Sequence, residues 1–103
     1  MANFIFAYHG GKMPDTPEEG AKEMAAWNAW YQGMGDKVTN GGGPVGKSST
    51  VSGKGTAQNG GANPLSGFTV VSANDHAEAD KMAQGCPILK NGGSVEVAEI
   101  IEM

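Results

Sequence analysis

Two histidines, one cysteine and eleven carboxylates are the groups through which this chain could do proton or nucleophile chemistry. His9 ends an apolar run and precedes Gly10-Gly11, a place where a side chain can emerge at the mouth of a sheet. An imidazole there could shuttle protons near neutral pH. The competing reading of His9 is a strand-end residue held by a hydrogen bond. His76 sits beside Asp75 and Glu78 in what reads as the first turn of a helix, which suits a solvated imidazole. Glu96 alternates with Val95 and Val97, so it points away from the helices if those valines point toward them. It is the carboxylate of the last strand that could line a pocket with His9, or it is an exposed edge residue. Trp30 lies off its helix's main apolar stripe and could line a cavity or an interface.

Other chemistries fit poorly. Cys86 falls at a predicted helix C-terminus, where the dipole opposes a thiolate, so it reads as a small buried apolar residue. Two histidines and one cysteine cannot supply a His-rich or thiolate metal framework within one chain, and no cofactor is expected. The segment Gly41-Gly42-Gly43-Pro44-Val45-Gly46-Lys47-Ser48 satisfies the letters of a phosphate loop. That loop needs a helix directly after the lysine, whose amides bind the phosphate. Ser48-Ser49-Thr50-Val51-Ser52-Gly53 favours extended or turn structure instead, so nucleotide binding is rejected.

These side chains must be held by a small set of elements. Asn3 to Tyr8 reads as a buried strand. Thr16-Pro17-Glu18-Glu19 combines a cap hydroxyl, a first-turn proline and a glutamate three residues after the cap, and so opens a helix. Met24, Trp27, Tyr31 and Met34 form the helix's predicted stripe, and Gly33 and Gly35 stop it. A second strand begins within Asp36 to Asn40, and residues 41–64 form an irregular Gly-rich insert with room for a short strand at Ser49 to Ser52. Gly67 to Ser72 reads as a central strand. Asn74 or Asp75 caps a second helix, which shows Ala79, Met82, Ala83 and Cys86 to the core and ends at Gly85 and Pro87. Ser94 to Ile101 is the last strand. The order β, α, β, insert, β, α, β predicts one α+β domain over residues 1–103 with a ferredoxin-like split βαβ arrangement, an antiparallel sheet carrying both helices on one face.

The other face then needs cover. Both faces of the first strand and of Phe68 to Val71 carry apolar side chains, which predicts a homodimer formed through the bare face. On the first strand Phe4, Phe6 and Tyr8 suit the helix-packed core, leaving Ile5, Ala7 and His9 toward the dimer interior. Seventeen glycines thin the stability margin of a 103-residue chain, and a partner surface would restore some of it. The formal net charge is −4, no arginine occurs, and the seven lysines are scattered, which excludes a nucleic-acid footprint. No apolar run approaches the roughly 18 to 20 residues a membrane span requires. A single cysteine and a start without a basic, apolar leader lead us to expect a cytoplasmic protein with no membrane partner.

Along its whole length the chain resembles the YCII-related domain family, small bacterial proteins that include a subgroup named for an Asp-Gly-Pro-Phe motif. The resemblance rests on Tyr8-His9-Gly10-Gly11, on Met24-Ala25-Ala26-Trp27-Asn28-Ala29-Trp30, on Asn63-Pro64-Leu65-Ser66-Gly67-Phe68 and on Gly92-Gly93-Ser94-Val95-Glu96-Val97. It implies a dimeric α/β barrel, two ferredoxin-like sheets packed open face to open face. Of the Asp-Gly-Pro-Phe motif only Gly43 and Pro44 remain, so the role of its aspartate does not carry over. The resulting expectation is a small-molecule site on the sheet face, with His9 as proton carrier and Trp30, Asn63 and Glu96 shaping the pocket. A non-catalytic binding module and a purely structural dimerisation domain are the alternatives.

Overall fold

A computed structural model describes residues 2–11, 14–58 and 64–102. Among these residues six strands and two helices run in the order β1 (Ala2–His9), α1 (Pro17–Met34), β2 (Val38–Pro44), β3 (Ser49–Ser52), β4 (Gly55–Gln58), β5 (Leu65–Ala73), α2 (His76–Ala83) and β6 (Ser94–Glu99). Short 3₁₀ turns at Gly35–Lys37 and Pro87–Asn91 lead into β2 and β6. Four strands form one antiparallel sheet in the order β2-β5-β1-β6, the split βαβ arrangement expected from the sequence. Within the insert β3 falls on the short strand allowed at Ser49 to Ser52, and it pairs with β4 as a separate two-stranded ribbon.

Local chemistry sets the helix starts. The Thr16 hydroxyl accepts from the Glu19 amide at 3.1 Å, and the Glu19 carboxylate accepts from the Asp15 amide at 3.0 Å. The start of α2 repeats the device, with the Asp75 carboxylate accepting from the Glu78 amide at 2.8 Å and the Glu78 carboxylate accepting from the Asn74 amide at 3.3 Å. Each pair satisfies donors that a helix start leaves open.

The core lies between the helices and one face of the sheet. Phe4, Phe6 and Tyr8 of β1 and Thr69, Val71 and Ala73 of β5 fill it with Met34, Ala79, Ala83, Cys86 and Ile88. On α1 the predicted stripe holds at Trp27, Tyr31 and Met34 and differs from the expectation at Met24 and Trp30. Met24 is 67% exposed, whereas Trp30 turns inward and stacks on Phe6 with ring centroids 6.0 Å apart. Trp27, Trp30 and Tyr31 together make a ring cluster over Tyr8. Three broad rings cover a wider arc of the helix than a strict three-four spacing of apolar letters marks, and Met24 is left at its rim.

Between Gly41 and Ser48 the chain runs from β2 into an open loop, and β3 follows Lys47 where a phosphate loop would place a helix. No helix is long and apolar enough to cross a membrane among the described residues.

Candidate functional site

β1 hands its residues alternately to two surfaces. With Phe4, Phe6 and Tyr8 against the helices, Ile5, Ala7 and His9 take the opposite, open face. Register carries the same division across the sheet, since Ile5 stands opposite Val70 and Ala98, and Ala7 opposite Phe68 and Glu96. The open face is thus an apolar strip of half-buried side chains, Ile5, Ala7, Phe68 and Val70, ending in a polar corner at His9 and Glu96.

At that corner His9 Nε2 lies 3.0 Å from Glu96 Oε1. An ionised carboxylate can only accept, so a proton shared with it is donated by Nε2. The pair becomes an ion pair once the ring is protonated. The two side chains are unequally placed, His9 being 13% exposed and Glu96 68%. The ring is therefore sheltered and oriented, while the carboxylate reaches it from solvent. Just beyond His9 the backbone turns with φ of +73° at Gly10 and +91° at Gly11. That conformation is open to glycine at little cost, and it takes the chain away without a side chain covering the ring.

The remaining candidates distribute as follows. Trp30 lies on the other side of the sheet from His9 and Glu96, contrary to the expectation that it shapes a pocket with them. Its indole Nε1 donates to the Met82 carbonyl at 3.0 Å, which fixes the ring between α1 and α2. There it borders a shallow apolar depression of about 400 Å³ with Ala26, Ala29, Gly85, Pro87 and Lys90, remote from any acid-base group of the open face. Asn63 lies outside the described residues. His76 is exposed at the start of α2, 3.5 Å from Asp80 and edge-on to Phe4. Cys86 is buried, and burial pushes its thiol up to about 11, away from nucleophilic use. Among the described residues no group of three or more His, Cys, Asp or Glu side chains comes together as a metal site.

One polar cluster was not anticipated from the sequence. The Tyr8 hydroxyl donates to Thr69 Oγ1, the Tyr31 hydroxyl lies 2.9 Å from the same oxygen, and Thr69 donates to the Gly41 carbonyl at 3.3 Å. Burial holds the Tyr8 hydroxyl far above the ordinary phenol range, so it stays protonated. The cluster is on the helix side and ties β1, α1, β2 and β5 together behind the open face.

A family model described as the YCII-related domain matches residues 1–103. The chain belongs to the YCII-related domain family. Among solved structures it is similar to the 5-chloro-2-hydroxyhydroquinone dehydrochlorinase from Burkholderia phenoliruptrix, in its complex with 2,5-dihydroxybenzoquinone. The two share 18% identity over 96% of this chain and 95% of that one, with a TM-score of 0.56. At that identity the likeness shows a common fold. No curated protein matches the chain. Within this YCII-related domain, Tyr8-His9 thus divides between core and open face, and Gly92-Gly93-Ser94-Val95-Glu96-Val97 delivers the carboxylate opposite it.

Proposed function

We propose that this YCII-related domain binds a small molecule on the open face of its sheet, inside a homodimer, with His9 as the proton carrier and Glu96 holding its ring. The observation that carries the reading is the 3.0 Å contact between His9 Nε2 and Glu96 Oε1, made by two strands beside the apolar strip of Ile5, Ala7, Phe68 and Val70. A ring oriented by a carboxylate is suited to general acid-base work, because its orientation is set and the charge it gains on protonation is met. The apolar strip beside it offers Phe68 and Val70 to the body of a ligand. The second copy enters because a bare strip of this kind is exposed to water on an isolated chain and would be covered by its own symmetry mate.

The dehydrochlorinase of the same fold holds a dihydroxybenzoquinone, which makes small hydroxylated rings the first class to test on this chain. Binding of 2,5-dihydroxybenzoquinone is measured by calorimetry on the wild type, His9→Ala and Glu96→Gln. Saturable binding by the wild type that falls at least tenfold in His9→Ala, with the melting temperature held, supports the site. Binding that His9→Ala leaves untouched overturns it. Turnover of a bound ring that disappears in both variants distinguishes an enzyme from a binding module.

A further inference from the structure

We propose that the depression between α1 and the end of α2 is a second binding site, which takes a small flat aryl carboxylate with its ring against Trp30 and its charge met by Lys90. The site stands apart from the open face and does not depend on His9 or on a dimer. Three observations carry it. First, the depression has a built floor. The Trp30 indole stacks on Phe6 with centroids 6.0 Å apart and donates from Nε1 to the Met82 carbonyl at 3.0 Å. Both ties lead into fixed structure, since Phe6 is fully buried and Met82 belongs to α2. A ring already held in place loses little freedom when a ligand lies against it. The open space beside it is about 400 Å³, within the roughly 300 to 1,000 Å³ of small-molecule sites.

Second, the walls are built from small side chains. Ala26 and Ala29 on α1 and Gly85 just after α2 border the indole, where longer side chains would fill the gap. At Gly85 an added Cβ would stand 3.2 Å from Trp30 Cδ1, so even one methyl group there would crowd the ring. Alanine methyls, the Pro87 ring and the indole offer a mostly apolar, shallow surface. A flat ring lying on such a surface gains contact over its whole face, which a bulky molecule would not.

Third, the charge at the border is positive and uncompensated. Lys90 lines the depression, and Lys22 lies four residues before Ala26 and seven before Ala29, on the same face of α1. Neither lysine forms an ion pair among the described residues. Glu23, beside Lys22 in the chain, is half-buried and accepts from the Asn91 side chain. An apolar floor with a cation at its edge selects a ligand that has both an apolar body and a negative end. A neutral ring uses the floor alone, and a cationic one is repelled at the edge.

The test titrates cinnamate into the full chain and follows the Trp30 indole N–H signal by NMR, with cinnamamide as the neutral counterpart of the same shape. Cinnamate should shift that signal saturably and bind about fivefold more tightly than cinnamamide, the advantage of one exposed ion pair. Lys90→Gln should remove most of that preference and leave cinnamamide binding as it was. Ala29→Leu fills the depression from an exposed helix position and should weaken both ligands at least tenfold with the melting temperature held. Ala26→Leu repeats that test from the same wall. His9→Ala should change neither affinity. Failure of cinnamate to saturate the signal overturns the proposal, and so does equal binding of acid and amide by the wild type. Binding that both leucine variants leave untouched overturns it as well. Binding lost in His9→Ala places the ring on the open face, which removes this site and leaves the reading of His9 standing.

Discussion

The Tyr8 hydroxyl donates to Thr69 Oγ1 at 2.7 Å inside the layer between sheet and helices, so consecutive residues of β1 bind opposite sides of the molecule: Tyr8 anchors the core and His9 serves the open face. Thr69 is fully buried and is the shared partner of Tyr8 and Tyr31. Thr69→Val keeps the shape and strips both tyrosines of that partner, and should cost about 2 kcal/mol in urea unfolding. Thr39→Val, at an exposed hydroxyl bonded to the Val70 carbonyl, is the control and should cost little. Because the Tyr8 phenol is raised above its ordinary 10.0, the stability it lends is complete below pH 10 and is lost only as pH climbs toward its folded value. Its absorbance change should therefore appear with alkaline unfolding and not before it.

Cys86 gives a second test of the core. With its thiol pushed up to about 11 by burial, the folded state holds a proton that the unfolded chain releases near 9.0. Stability from this group is intact below pH 9 and declines as pH rises toward about 11. A disulfide reagent at pH 8 should label the native protein far more slowly than the urea-unfolded chain. Equal rates would mean that the sulfur is not buried in the native protein.

The paired helix starts predict matched losses. Thr16→Ala and Asp75→Ala should each cost about 1 kcal/mol, seen as lowered urea midpoints. The Glu78 carboxyl is held below its ordinary 4.5 first by the Asn74 amide and then by the Lys37 ammonium 3.4 Å away. Its contribution is present above pH 4.5 and is lost as pH falls through the lower folded value. Glu78→Gln should consequently flatten the acid limb of the stability profile, while a profile identical to the wild type would deny the cap.

Gly42 and Gly41 are neighbours with opposite tolerance. At Gly42, φ is +59° and an added Cβ would stand 2.0 Å from the Phe68 carbonyl oxygen, whereas a Cβ on Gly41 meets nothing within 4 Å. Gly42→Ala should cost on the order of 3 kcal/mol by unfolding or should prevent expression. Gly41→Ala should be close to neutral in the same measurement. Equal effects would place the irregular pairing of β2 with β5 elsewhere than Asn40–Gly43.

Much of the fold was legible because its causes are local. Thr16, Pro17 and Glu19 act within one helical turn, and the alternation of Phe4, Phe6 and Tyr8 with Ile5, Ala7 and His9 follows from the pleat of a strand. The Gly-rich insert was less legible, because β4 carries only Gly55, Thr56, Ala57 and Gln58, types with no common pattern. Trp30 was misplaced because its direction depends on how far three adjacent rings spread around α1, and on a Met82 carbonyl 52 positions away.

What the sequence by itself determined is the set of elements, their caps, and the two-sided character of β1, since each depends on residues within a few positions of one another. What the tertiary structure decided is which of those residues meet. His9 and Glu96 are 87 positions apart, and their contact exists because β6 pairs with β1 in the register that sets Ala7 opposite Glu96. A slip of one residue would turn Glu96 to the helix side and Val95 and Val97 to the open face, with the same composition and the same local propensities. Thr69 likewise serves two tyrosines from α1 and β1 only because β5 lies between β1 and β2. Pairing register is fixed by the burial of whole faces at once, a cooperative quantity that no short stretch of sequence carries.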